Sequence, residues 1–417
     1  MELHPFTSLL LKDKKVIRYN GNKIYKPIND IRKISLRPHE FSTYFSSKMR
    51  RKYWENISRI NSAIYFSTVE YFKSIDANFV TLPLTTRLLS SPGAAILEYL
   101  RGIRQIREKL DIEVFPMKLD WFGHDVFLSE SSQLYLEFTL AFSDFNHVFS
   151  IYNSFRREKA DWCHLSEFHH IEYEGKVNQE KNEKIIENLV SKIIKDVIQK
   201  CENELLSFVD KDYLRYLENN SKNMKKVSLY EALQKLHQET GLEEYKTFST
   251  KYWGSWEEVK ISNMMDSFVF VKEIPYFSSF FYQTYVDKEP GKEYTTINID
   301  GDIIETKSYE NVPVADTADL IWPGYREFVG SGHRVRTSKE ARYKINWLFQ
   351  KTLKIDKKTI KKIMRWYDPY IDIRDLPTYK QTSGFGLGWE RFLQGLLKLP
   401  TIVDGALYAR THHIPKV

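Results

Sequence analysis

Ser383-Gly384-Phe385-Gly386-Leu387-Gly388-Trp389-Glu390-Arg391 is the stretch on which the reading of this 417-residue chain turns. Glycine at every second position leaves one face of an extended backbone bare, so a flat, charged ligand can come close. From Trp389 to Lys398 the apolar residues fall at helical spacing, and Pro400 closes the run. An arginine in the first helical turn after a glycine-rich strand is placed to grip a phosphate. Standing alone, the stretch reads equally well as a tight strand-to-helix packing turn with a surface arginine.

Bulk composition narrows the field. With 42% apolar and 15% aromatic residues the chain can bury a real core, which excludes a disordered polypeptide. Its length allows two or three domains, or one large one. A net charge of +7 permits a polyanionic partner such as RNA without demanding one. The two cysteines, Cys163 and Cys201, lack metal-ligand spacing, and a reduced, cytoplasmic protein is expected. No basic-then-apolar leader opens the chain, and no apolar run is long enough for a bilayer, so no membrane partner is expected.

Working outward, Val16–Tyr19 and Asn22–Tyr25 flank Asn20-Gly21 and predict a hairpin with a type I′ turn. Ile57, Ile60, Ile64, Val69 and Phe72 predict a helix within 41–73. Strands are expected at 79–83, 119–123, 126–128, 148–152, 168–173, 268–271 and 280–283, with a hairpin at 296–305 around Gly301. Helices are expected from Ser131 to about Phe142 and from Asn182 to Val209, where Cys201 falls on the apolar stripe. Ser228-Leu229-Tyr230-Glu231 is a capping box, and Gly241 closes the helix it starts. Strands and helices in mixed order, without βαβ alternation, indicate an α+β fold: a mostly antiparallel sheet flanked by helices. Residues 1–45 read as an N-terminal extension with the short hairpin. Residues 46–417 read as one domain with a helical insertion at about 176–255. There is no Walker-type phosphate loop, so a nucleotide would be held another way.

Other stretches add chemistry. Phe155-Arg156-Arg157-Glu158 and His164-Leu165-Ser166-Glu167-Phe168 set cations, an acid, a histidine and an aromatic on two strands joined by a loop. Phosphate charge, a purine amino group and a purine face call for those types. Asp319 to Arg334 carries carboxylates and arginines across a glycine-rich strand, and Ser131 to Glu137 opens a helix.

On these residues the chain resembles class II aminoacyl-tRNA synthetases, of the aspartyl/asparaginyl subgroup. Phe155-Arg156-x-Glu158…His164-Leu165-x-Glu167-Phe168 is similar to motif 2, and Gly384-x-Gly386-x-Gly388-x-Glu390-Arg391 to motif 3. Pro83 matches the motif 1 proline, which in the family lies at a dimer interface, so the resemblance implies a homodimer. It implies ATP and Mg²⁺ as well. Arg156 would hold the α-phosphate, Glu158 would accept from the adenine amino group, and Phe168 and Arg391 would cover the two adenine faces, with Arg391 also reaching the γ-phosphate. Gly388 would help to bind ATP, and His164 would touch the outer phosphates. Glu327, with Asp319, would bind Mg²⁺. Gln133 and Glu172 would face the substrate α-amino group.

Arg334 matches the arginine that reads the substrate side chain. Leu136 stands where aspartyl enzymes carry lysine, and Glu137 follows it. An arginine that donates to an amide oxygen and a glutamate that accepts from its NH₂ suit asparagine. The chain also departs from the family pattern. About 45 residues precede the catalytic region, where relatives carry an anticodon-binding barrel. Ser91-Pro92-Gly93 replaces the usual loop glutamate, Cys163 an arginine, Thr382 a histidine and Val403 an arginine. The expectation is therefore an ATP-dependent ligase that activates asparagine or aspartate as an aminoacyl-adenylate and passes it to a non-tRNA nucleophile. That nucleophile would be ammonia or a metabolite amine. A minimal asparaginyl-tRNA synthetase and a catalytically silent pseudo-synthetase are the alternatives.

Overall fold

The computed structural model describes residues 16–19, 22–25, 51–91, 116–157, 163–352, 354–399 and 402–411. Helical spacing of Ile57, Ile60, Ile64 and Phe72 gives α1 (Arg51–Ser74) one fully buried stripe. After the short strand β1 (Asn78–Phe79), Met117–Trp121 and His124–Leu128 form a hairpin. Its turn residues, Phe122 and Gly123, both have positive φ. Next come α2 (Gln133–Ala141), β2 (His147–Phe155), β3 (Glu167–Gly175), α3 (Gln179–Leu205) and α4 (Lys211–Asn220). β4 (Lys225–Ser228), α5 (Leu229–Thr240), α6 (Ser255–Met265) and β5 (Val269–Lys272) follow. A small sheet of Tyr294–Ile299, Asp302–Tyr309 and Val312–Pro313 precedes β6 (Thr317–Ile321) and β7 (Glu327–His333). The chain continues through α7 (Ser338–Trp347), α8 (Lys357–Asp372), β8 (Ser383–Gly388) and α9 (Trp389–Leu396).

The eight-stranded sheet runs β1-β2-β3-β8-β7-β6-β5-β4. Its neighbours are antiparallel from β2 through β5, and only the outer pairs β1/β2 and β5/β4 are parallel. This is the α+β, mostly antiparallel architecture expected from the mixed element order.

One sheet face is dry. Phe72 of α1 stacks on Phe149 at 4.4 Å and on Tyr173 at 5.8 Å, and Tyr173 stacks on Phe385. The N-terminal turn of α3 is fastened to the same face: Asn182 Nδ2 donates to Gly384 O at 3.2 Å, and Gln179 Nε2 to Ser331 Oγ at 2.9 Å. Period-2 alternation sends the other side chains of β3, β6, β7 and β8 to the opposite face, where the cleft lies.

Several expectations shift. The segment read as an insertion is built into the main core: Ile186, Leu189, Ile193 and Val197 are fully buried with the sheet residues, and β4 is an edge strand of the sheet. The strand expected over 79–83 ends at Phe79, and only Val80 N adds a bond to Phe149 O. Residues 280–283 form a turn held by an isolated bridge from Gln283 to Arg334, with Phe281 packed against Tyr367 and Tyr370 of α8 and Phe280 and Tyr282 lining the cleft. Helix α3 breaks its geometry at Cys201, which is nonetheless buried as its periodicity implied. The two N-terminal strands pair as expected, while their turn, Asn20-Gly21, lies outside the described residues.

The capping box is present at α5: Ser228 Oγ accepts from Glu231 N at 3.1 Å and Glu231 Oε2 from Ser228 N at 2.9 Å, with Gly241 left-handed at the far end. Ser228→Ala is expected to lower stability by about 1 kcal/mol. Urea unfolding checks this: the midpoint falls at constant slope, and an unchanged midpoint contradicts it.

Candidate active site

Strand register builds the floor of the cleft. Asp319 of β6 pairs with Gly330 of β7, Gly330 with Gly386 of β8, and Gly386 with Glu172 of β3. Cross-strand neighbours share a face, so two glycines form a bare strip between two carboxylates. Three strand spacings separate the acids by roughly 14 Å of backbone. Above the strip is a cavity of about 350 Å³. Its lining includes Gln133, Arg156, His164, Phe168, Glu172, Asp319, Glu327, Arg334, Gly388 and Arg391.

At one end lie the cations and the paired acids. Arg156 Cζ sits 5.2 Å from the Phe168 ring centre, and its buried Nε has no hydrogen-bond partner among the described residues. Arg391, in the first turn of α9, donates from Nη1 to Glu327 O at 2.8 Å and from Nε to Cys163 O at 3.3 Å. Glu390 beside it clamps β3, accepting from His169 N at 3.0 Å with Nδ1 of that ring 2.6 Å away. Arg326 donates from Nε to Glu258 Oε2 at 3.0 Å, and its Nη1 lies 3.2 Å from His164 Nε2.

Asp319 and Glu327 crowd the open face of Gly330, where a Cβ would lie 3.0 Å from Glu327 Oε1 and 3.6 Å from Asp319 Oδ1. Burial, then the charges of Glu327 and Glu258, hold the Asp319 carboxyl well above the usual carboxylate range. Two facing carboxylates fit a hard divalent cation. Among the described residues no third His, Cys, Asp or Glu completes such a group, so phosphate and water oxygens would supply the remaining ligands.

The other end is a dry charge network. Arg334 donates from Nε to Glu174 Oε1 at 3.0 Å and from Nη2 to Oε2 at 2.6 Å. Its Nη1 makes no hydrogen bond to a described residue, and Arg334 faces the cavity. Behind it, Glu137 lies 3.6 Å from Arg334 Nε and accepts from Arg374 Nη2 at 2.8 Å and from the Tyr370 hydroxyl. All four charged residues are at most 6% exposed. Gly384 makes room for them: a Cβ there would meet Glu174 Oε2 at 2.0 Å, Tyr173 O at 2.4 Å and Arg334 Nη2 at 2.7 Å. Between the two ends, Glu172 accepts from Ser131 Oγ at 2.7 Å and from the Tyr152 hydroxyl. Burial pushes its pKa up to about 7, against the pull of those donors.

The structure thus gathers all but two of the expected site residues in one cleft. Glu158 lies outside the described residues. Glu137 is not at the cleft wall; Arg374 and Tyr370 consume both its oxygens, and it supports Arg334 from behind. Gln133 lines the cavity, with Nε2 donating to Tyr173 O at 3.3 Å. The three glycines also divide their work: Gly386 and Gly388 face the cavity, while Gly384 accommodates the ion pair. Sequence reasoning missed Glu174, although it follows Glu172 by two and must share its face. Arg326, Glu258, Arg374 and Tyr370 gave no such signal, since only the fold brings them near.

Residues 43–412 match the family described as tRNA synthetases class II (D, K and N). The chain belongs to this family of class II synthetases. It is 27% identical over 307 residues to an asparagine–tRNA ligase of Koribacter versatilis (strain Ellin345), a match covering 72% of this chain and 60% of that protein. An asparagine–tRNA ligase of Borreliella afzelii (strain PKo) is 24% identical over 375 residues, covering 87% and 72%. Among solved structures, the asparaginyl-tRNA synthetase of Pyrococcus horikoshii complexed with asparaginyl-adenylate superposes with a TM-score of 0.68 at 24% identity, over 93% of this chain and 74% of that one. The Entamoeba histolytica asparaginyl-tRNA synthetase gives 0.66 at 19% identity, over 93% and 75%. These likenesses agree in fold.

Gly384→Ala is expected to cost about 1–3 kcal/mol, since backbone and a buried ion pair block the new methyl. At Gly386 a Cβ would touch Glu172 Oε1 at 3.4 Å, so Gly386→Ala should stay within about 0.5 kcal/mol. Denaturant unfolding of both variants checks the contrast; equal losses contradict it.

Proposed function

We propose that the chain is an ATP-dependent ligase that joins asparagine to AMP as an aminoacyl-adenylate. The observation that carries this is the single cleft holding Arg156, Phe168, Arg391, Asp319 and Glu327 at one end and Arg334 with Glu172 at the other. In the reaction the substrate α-carboxylate oxygen bonds to the α-phosphorus while the bond to the departing pyrophosphate breaks. Arg156, whose buried Nε has no partner among the described residues, would bear the charge that grows on the α-phosphate. Phe168 would carry the base. Arg391, Arg326 and His164 would hold the outer phosphates. Asp319 and Glu327 would hold Mg²⁺, which when bound neutralises phosphate charge. Glu172 and Gln133 would orient the substrate ammonium beside the bare glycine strip, so that its carboxylate faces phosphorus.

Charge balance selects the side chain. Arg334, Glu174, Glu137 and Arg374 form a neutral buried set. An asparagine amide adds no charge: its oxygen can accept from the unused Arg334 Nη1. An aspartate carboxylate would be a buried charge with no surplus cation, which is costly. Glu174 therefore takes the discriminating place that the sequence suggested for Glu137.

The acceptor is a separate question. A small amine fits the departures at Cys163, Thr382 and Val403. Transfer to tRNA is the second reading, favoured by the basic helix treated below. A homodimer through the face around Pro83 fits the exposure of Phe79 on edge strand β1 and of Leu84. Among the described residues no helix is long and apolar enough to cross a membrane.

Pyrophosphate exchange into ATP is expected with asparagine, and Arg156→Ala or Arg391→Ala should reduce it by about 10²-fold or more. No exchange with any amino acid would leave the pseudo-synthetase reading instead. Side-chain preference has a pH signature. Burial pushes Glu174 up to about 7. As pH falls through that value Glu174 takes up a proton and the set gains net positive charge, so the preference for asparagine over aspartate should narrow. Glu174→Gln should shift the same ratio by about tenfold at neutral pH. A ratio flat across pH and unmoved in the variant contradicts the assignment.

A further inference from the structure

We infer that the outer face of α8 is a docking surface for the phosphate backbone of RNA. Residues 351–365 hold seven cations, Lys351, Lys354, Lys357, Lys358, Lys361, Lys362 and Arg365, against one acid, Asp356. This short segment therefore carries a formal +6 of the whole chain's +7. All seven cations are exposed. None makes an ion pair or side-chain hydrogen bond with a described residue. Elsewhere on the surface, lysines such as Lys184, Lys192, Lys222 and Lys339 pair with acids. The acids nearby are already engaged: Asp356 caps α8 by accepting from Thr359 N at 3.0 Å, and Asp368 and Asp372 bind Arg342 at 2.5 and 2.6 Å.

The fold does not need these cations. Lys357 and Lys358 stand in the first turn of α8, where the helix dipole disfavours positive charge, and the one acid beside them is the N-cap Asp356. The spacings Lys357/Lys361, Lys358/Lys362 and Lys361/Arg365 each set like charges one turn apart, which also opposes the helix. A polyanion lying across them removes both penalties. Lys357, Lys361 and Arg365 form a row at roughly 6 Å intervals along one wall of a groove of about 390 Å³, with Arg342 and Asn346 of α7 also lining it.

The face has no exposed large apolar side chain: Ile360 and Ile363 are buried, and Met364 and Trp366 are half-buried. An interfacial membrane helix or a stable protein interface would need an apolar patch. A nucleic acid backbone needs only the repeated charge. The inference does not rest on adenylation, because binding is measured without ATP or amino acid.

The test is titration of the full chain with bulk tRNA over a range of salt concentrations. It is repeated with Lys357, Lys358, Lys361 and Lys362 all changed to Gln, and with a control in which Lys184, Lys200, Lys211 and Lys222 are changed to Gln. The α8 variant should bind at least about tenfold more weakly at low salt. Its salt slope should fall by roughly 0.7–0.9 for each phosphate that it no longer neutralises. The control, with the same charge removed, should keep most of the affinity. Thermal unfolding monitors the fold, and the α8 variant should be no less stable than the parent. Equal losses in the two variants, no RNA binding by the parent, or tighter binding of the parent to phosphatidylserine vesicles than to tRNA would each overturn the assignment.

Discussion

A bare strip of backbone across the middle of a sheet is the constraint on which the site depends. Gly330 and Gly386 are cross-strand partners, and the strands on either side contribute Asp319 and Glu172 in the same row. Side chains at the two glycine positions would fill the space that the cavity occupies. The row also fixes the polarity of the site: carboxylates suited to a cation and phosphates at one end, a carboxylate suited to an ammonium at the other. The dry side of the same strands supplies the rigidity. Tyr173 and Phe385 stack there, with α1 and α3 packed behind them.

A second dependence is electrostatic. Glu137 comes from α2, Glu174 from β3, Arg334 from the chain just after β7, and Arg374 from the turn after α8. Their mutual contacts tie four parts of the fold together in a place where a single unmatched charge would cost several kcal/mol. The net neutrality makes the set tolerable in the interior, and under the proposed function it would also make the site selective, since an incoming side chain must not upset the balance. Packing and substrate choice would then be one requirement. Gly384 belongs to the same arrangement, because only a residue without a Cβ leaves room for the Arg334–Glu174 pair.

Much of this was legible in the sequence, for identifiable reasons. Helical and alternating periodicities located α1, α3, β2 and β3, because burial on one face leaves a periodic trace, and the capping box located α5. The glycines and Arg391 announced a strand that runs directly into a helix. Register left no trace. Nothing in the sequence says that Asp319 stands three strands from Glu172, or that Arg326 reaches His164 across the cleft. Glu137 illustrates the limit: it has the right chemistry and the right helix, yet Arg374 and Tyr370 claim it, and no local pattern foretells a partner more than 230 residues away. The run at 280–283 misled for the opposite reason. Phe281 packs against Tyr367 and Tyr370 of α8 while Phe280 and Tyr282 line the cleft, and an apolar run alone does not distinguish a ladder strand from such a turn.

The central claim is that one continuous cleft holds a nucleotide at the arginine end and an amide side chain at the Arg334 end. A crystal structure of the chain with a non-hydrolysable asparaginyl-adenylate analogue tests it most directly. The account predicts the base against Phe168, the phosphate mimic on Arg156 and the amide oxygen within hydrogen-bond distance of Arg334. An analogue bound elsewhere, or with its side chain turned away from Arg334 and Glu174, would contradict it.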